Sequence, residues 1–153
     1  MNFLIKISYD GSKFYGFQRL NEENSVQKCL EEALSKINKQ SVVVKGAGRT
    51  DRGVHAKNQA VSFKLDINID EYGLKSALNS LLKPYIYVNE VMKVDEDFHA
   101  RFSTKKKTYC YKINLGEYNP IMADYIFQCP YKLDIEKMKE VASLFLGVHD
   151  FRN

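Results

Sequence analysis

The run Gly46-Ala47-Gly48-Arg49-Thr50-Asp51-Arg52-Gly53-Val54-His55-Ala56 places one carboxylate, Asp51, between two arginines in a glycine-punctuated turn. Glycine relieves the steric limits on φ, so a backbone built this way can approach a ligand closely. Arg49 and Arg52 are able to neutralise phosphate and to favour the charged form of a neighbouring carboxylate. The pattern therefore suits an acid that must meet a phosphate-bearing substrate. A connecting turn whose charges are simply solvated would use the same residue types, and spacing alone does not separate the two.

The elements that must position this turn follow from periodicity. Phe3, Ile5, Ile7 and Tyr9 alternate as in a strand, whereas Val26, Cys29, Leu30, Ala33, Leu34 and Ile37 fall at helical spacing after Asn24 or Ser25 as cap. Val42 to Lys45 reads as a second strand and Val61, Phe63 and Leu65 as a third, one on each side of the turn. Asp70 caps a second helix carrying Leu74, Ala77, Leu78, Leu81 and Leu82, which Pro84 forbids from continuing. Ile86, Val88, Met92 and Val94 form a fourth strand, and the acidic Asp95-Glu96-Asp97 a solvated connection. The order β-α-β-β-α-β predicts an α+β fold with a ferredoxin-like, split βαβ first domain, a topology shared by many RNA-binding domains.

A second unit opens near Lys105. Tyr109, Tyr111, Ile113 and Leu115 alternate as a strand, Tyr125 to Gln128 suggests another, and Asp134 caps a helix with Ile135, Met138, Val141, Ala142 and Phe145 that Gly147 would end. Residues 1–103 thus read as a first domain and 104–153 as the incomplete start of a second. Two strands and one helix leave a sheet face poorly covered.

Composition narrows the class. The chain has 153 residues, 44% of them hydrophobic, enough for a packed core, and a net charge of +4 that suits a polyanion without requiring one. Cys29, Cys110 and Cys129 are odd in number and form no CxxC pair, and no signal-peptide or membrane-length apolar run occurs, which predicts a reduced, cytoplasmic protein. His55 and His99 match no zinc spacing, so no metal is expected.

Gly48-Arg49-Thr50-Asp51-Arg52-Gly53-Val54-His55-Ala56 closely resembles the active-site signature of the tRNA pseudouridine synthase A (TruA) family. Other segments agree in the same order: Tyr9-Asp10-Gly11-Ser12-Lys13-Phe14-Tyr15-Gly16-Phe17-Gln18-Arg19, Ser25-Val26-Gln27 with Leu30 to Leu34, Leu78-Asn79 with Leu82-Lys83-Pro84, Phe98-His99-Ala100-Arg101-Phe102-Ser103, Lys107-Thr108-Tyr109-Cys110-Tyr111 and Gly147 to Phe151. The resemblance covers essentially the whole chain. It departs at Arg52, where the family usually has a small residue, and at Phe17, where tryptophan is usual.

The resemblance implies isomerisation of uridine to pseudouridine in the anticodon arm of tRNA, a reaction that needs no redox cofactor or metal, with Asp51 as the catalytic carboxylate. Asp51 would either attack C1′ of the ribose or take the C2′ proton to give a glycal; the sequence does not choose. Thr50 has no neighbouring base and reads as a turn or capping hydroxyl. A flipped base needs a cation beside the vacated stack and a ring beneath the uracil. By resemblance Arg49 and Tyr109 take those roles, with Tyr111 as a packing tyrosine. Arg101 and Lys107, in a basic stretch with Phe98, Phe102, Lys105 and Lys106, suit the RNA backbone, as do Lys13, Gln18 and Arg19.

The resemblance also implies a homodimer with tRNA as partner, and a second domain that runs on past His149-Asp150-Phe151 and supplies a cationic partner for the aspartate. A shortened chain of this kind is expected to be inactive. The alternative reading is a non-catalytic RNA-binding fragment.

Overall fold

The computed structural model describes residues 1–20 and 24–152. The chain divides into two compact units, Met1–Lys107 and Thr108–Asn153.

In the first unit β1 (Asn2–Tyr9) is the central strand of an antiparallel sheet with β2 (Lys45–Gly46), β3 (Ala56–Lys64) and β4 (Ile86–Val94), in the order β2-β3-β1-β4. The register sets Phe3 opposite Phe63 and Ile5 opposite both Val61 and Val91, so the alternating apolar positions share one face. That face buries Phe3, Ile5 and Ile7 completely, together with Val26, Leu30 and Leu34 of α1 (Val26–Asn38) and Leu74 and Leu78 of α2 (Glu71–Leu82). Full burial of each such side chain stabilises by about 1.5–3 kcal/mol, which makes this layer the main source of cohesion.

The helix boundaries have local causes. Ser25 Oγ accepts from the Lys28 N–H and Asp70 Oδ1 from the Gly73 N–H, each satisfying an otherwise unpaired donor of the first turn. At the other end of α2, Lys83 takes an extended conformation ahead of Pro84, as a residue before proline must.

Four expected strands differ from those observed. Val42-Val43-Val44 is extended, with Val42 and Val44 buried and Val43 exposed, yet pairing with β3 is confined to Lys45 and Gly46. Here α1 supplies partners for the backbone: the Val42 N–H donates to Ser35 Oγ (3.0 Å), and the Val44 N–H to Glu31 Oε1 (3.2 Å). Side chains of a helix replace the neighbouring strand. In contrast, β3 begins at Ala56, earlier than Val61, because β1 offers partners as far as Tyr9, opposite Ala56. The Tyr109-to-Leu115 strand shrinks to β5 (Ile113–Asn114), and the Tyr125-to-Gln128 strand to β6 (Phe127–Gln128).

A short helix, α3 (Ala100–Ser103), is fixed to the sheet face opposite the core, where Ser62 Oγ accepts from the Ala100 N–H at 3.0 Å. Asn2, buried at the start of β1, holds the incoming chain through Nδ2 to the carbonyls of Asp95 (2.8 Å) and Phe98 (3.0 Å).

The second unit pairs β5 with β6 in parallel and carries α4 (Ile135–Ser143), capped by Asp134 Oδ1 to the Lys137 N–H. The helix stops before Gly147. Bonds from the N–H groups of Leu144, Phe145 and Leu146 to the carbonyls three residues earlier tighten the chain after Ser143, and the positive φ of Gly147 (108°) ends those turns.

Candidate active site

The loop between β2 and β3 is built onto the loop after β1. Thr50 is held twice: its carbonyl accepts from the Phe17 N–H at 3.0 Å, and its hydroxyl lies 2.8 Å from the Tyr9 phenol oxygen. Gly16 makes the first tie possible. Its φ is +105°, and a Cβ there would stand 2.6 Å from the Thr50 carbonyl oxygen, so a side chain is excluded on both counts. The turn closes with the Val54 N–H donating to the Asp51 carbonyl (3.2 Å). Beyond it the Gly11 N–H donates to His55 Nδ1 (3.1 Å), where a Cβ on Gly11 would collide with the Val54 carbonyl. Residues 10–17 therefore clamp both ends of the turn that displays Asp51. The carboxylate itself is exposed.

Beside this turn lies a groove of about 470 Å³ whose lining includes Lys45, Arg49, His99, Arg101, Phe102 and Lys107. The anchoring of α3 by Asn2 and Ser62 brings Arg101 there, and the Lys107 ammonium lies 3.3 Å from where a Cβ of Gly48 would be. Three anticipated substrate contacts, Arg49, Arg101 and Lys107, thus converge on one concavity. Cations gathered in a groove with low-dielectric walls attract a polyanion more strongly than the same charges spread over a surface. On the rim the His99 and Phe102 rings are 4.5 Å apart, with Phe102 exposed.

The local geometry near Asp51 differs from expectation. Among the described residues its carboxylate makes no ion pair with Arg49 or Arg52. The Arg52 guanidinium instead sits 4.4 Å from the centre of the Tyr15 ring, a cation–π contact that draws it away from the acid. Asp51 is also absent from the groove lining. Tyr109 belongs to the second unit, where it lies outside β5 with an exposed ring. Tyr111 does meet an aromatic partner, Phe127, at 6.4 Å.

Asp10 supports the clamp. Burial raises its pKa, but hydrogen bonds from Ser12 (Oγ at 2.7 Å), with His55 and Lys13 nearby, outweigh that and hold the carboxyl below the usual range. Among the described residues no group of three or more His, Cys, Asp or Glu is arranged to hold a metal ion. No described helix is long and apolar enough to cross a membrane.

Against known proteins, a family model described as tRNA pseudouridine synthase matches residues 5–103, which contain the whole clamp, Asp51, Arg49 and Arg101. The chain belongs to the tRNA pseudouridine synthase family. Among relatives it is 46% identical to the tRNA pseudouridine synthase A of Pseudothermotoga lettingae over 152 residues, covering 99% of this chain and 62% of that protein. It is 44% identical to the tRNA pseudouridine synthase A of Malacoplasma penetrans (99% and 63%) and 42% to the tRNA pseudouridine synthase A 2 of Clostridium perfringens (99% and 62%). The chain therefore spans a little under two thirds of the length of these synthases. Lys107 and Tyr109 fall outside the segment that matches the synthase family model.

Sequence reasoning missed two features of this synthase-family site. Tyr9 reads from its spacing as one more core residue, because periodicity reports which face a ring takes and not where its hydroxyl ends. Glu31 is a buried carboxylate beneath the groove wall: Oε1 accepts from Gln27 Nε2 (2.9 Å) and the Val44 N–H, while Oε2 lies 3.1 Å from Arg19 Nη1 as an ion pair without a hydrogen bond of its own. Its signal was a charge adjacent to Leu30 on the apolar side of α1.

Proposed function

We propose that this chain carries the catalytic aspartate of a tRNA pseudouridine synthase that isomerises uridine to pseudouridine in the anticodon arm of tRNA. The observation that carries the reading is the clamped, solvent-facing Asp51 beside a groove lined by Arg49, Arg101 and Lys107. Strand order β2-β3-β1-β4 with two helices on one face supports reading residues 1–103 as a ferredoxin-like domain, and a second domain as starting at 104.

In this reading the groove binds the phosphates around the target nucleotide, and the flipped uridine meets Asp51. The N1–C1′ bond breaks by one of two routes. Asp51 adds to C1′ as uracil leaves, or it takes the C2′ proton as the glycal forms. Uracil then turns and C5 bonds to C1′, displacing the Asp51 carboxylate in the first route or as the proton returns to C2′ in the second; the C5 proton is lost and N1 gains one, so the product is an isomer of the substrate. Arg49 stabilises the space vacated by the base and Tyr109 supports the uracil. A homodimer in the cytoplasm, with tRNA bound across both subunits, completes the reading.

In the full-length protein Asp51→Asn should retain tRNA binding and lose pseudouridine formation, because the near-isosteric amide removes both base and nucleophile. Tritium release from C5-labelled tRNA measures it. Turnover close to wild type would assign the chemistry to another residue. The second reading, a non-catalytic RNA-binding fragment, draws on the absence of Asp51 from the groove lining, and the same assay decides between them.

A further inference from the structure

We infer that Tyr9 and Thr50 act as a pair of positioning residues that fix the direction in which Asp51 presents its carboxylate. The inference rests on the reading of Asp51 as the catalytic group.

Among the described residues no hydrogen bond or ion pair holds the Asp51 side chain, so its direction is set by the backbone that bears it. The Thr50 carbonyl belongs to the peptide plane leading into Asp51, and its bond to the Phe17 N–H fixes the tilt of that plane. One such tie leaves rotation about the bond axis. The Thr50 hydroxyl, 2.8 Å from the Tyr9 oxygen, adds a second tie from a different direction. Two ties to separate elements leave Asp51 with little beyond its own side-chain torsions.

Tyr9 is suited to be the fixed end. It closes β1, the central strand, opposite both Ala56 and Ile86. Its ring is buried and meets Phe14 edge-on at 6.3 Å and 85°. Burial also raises the phenol pKa, keeping it neutral and able to serve as hydrogen-bond donor or acceptor. A rigid sheet end thus reaches, through one hydroxyl pair, the residue adjoining the reacting carboxylate. Displacing a reacting group by a fraction of its contact distance lowers the rate of the chemical step far more than it lowers binding.

The experiment uses the full-length protein and unmodified tRNA, comparing Tyr9→Phe, Thr50→Val, their double variant, Thr50→Ser and Asp51→Asn by steady-state pseudouridine formation and thermal melting. Tyr9→Phe and Thr50→Val should each lower kcat on the order of tenfold, with KM within about twofold of wild type. The double variant should be no worse than the poorer single one, because each substitution breaks the same tie. Thr50→Ser, which keeps the hydroxyl, should restore most of the rate. Wild-type kcat in Tyr9→Phe and Thr50→Val alongside an inactive Asp51→Asn overturns the positioning role alone, as do losses that multiply in the double variant. An active Asp51→Asn removes the catalytic reading, and this inference with it.

Discussion

His55 Nδ1 lies 3.1 Å from the Gly11 nitrogen and 3.2 Å from Asp10 Oδ1. A single ring nitrogen cannot accept from the first and donate to the second at once, so whether Nδ1 carries a hydrogen decides which contact closes the clamp behind Asp51. Asp10 makes the local electrostatics testable. Its folded-state pKa is lowered from the ordinary 3.8, so the stabilisation it gives is complete above that value and is lost as pH falls through the folded value. The melting-temperature difference between wild type and Asp10→Asn should therefore be constant near neutrality and shrink at pH values below 3.8. A difference that persists unchanged into strong acid would show that hydrogen-bond geometry, which Asn keeps in part, matters and charge does not.

At the scale of elements, α1 does more than cover the sheet. Through Ser35 and Glu31 it holds the extended Val42–Val44 segment that leads into the Asp51 turn, in place of a strand partner. Glu31→Ala leaves the Val44 N–H and Arg19 without their carboxylate, and loss of a buried acceptor costs roughly 1–3 kcal/mol. Glu31→Gln, which retains one oxygen for Val44, should cost less. Urea unfolding of both variants and wild type checks the order, and a Glu31→Ala stability equal to wild type would mean that water replaces Glu31 at no cost.

Across the molecule, the two units differ in what they bury. The first has a layered core, whereas no described residue from Thr108 to Arg152 is buried, and Val141, Leu144, Phe145, Leu146 and Phe151 are all exposed. An apolar surface of this extent on a separate unit favours association. The 153-residue chain should therefore self-associate in light scattering, and on unmodified tRNA it should form no pseudouridine, because preorganised partners account for much of catalysis. Efficient turnover by a monomer would show that the first unit and the described second unit suffice.

By itself the sequence determined the order of the four strands and two long helices of the first unit, the caps of α2 and α4 and the apolar faces, and narrowed the cap of α1 to Asn24 or Ser25, because periods of two and 3.6 residues and the capping side chains are local properties. It also singled out Asp51, through its place in a string that resembles the synthase signature. What it did not contain was partnership across the fold. Val42–Val44 carries strand-forming residues, yet a helix satisfies its backbone. Arg52 stands next to Asp51 in sequence and turns to Tyr15. Arg101 and Lys107 are remote from Arg49 along the chain and share its groove only because Asn2 and Ser62 hold α3 and its lead-in chain to the sheet. Tyr9 reads as core and becomes the tether of Thr50 only once the loop folds over the end of β1. Each of these depends on hydrogen bonds between segments distant in sequence, and local pattern carries no record of which distant donor meets which acceptor.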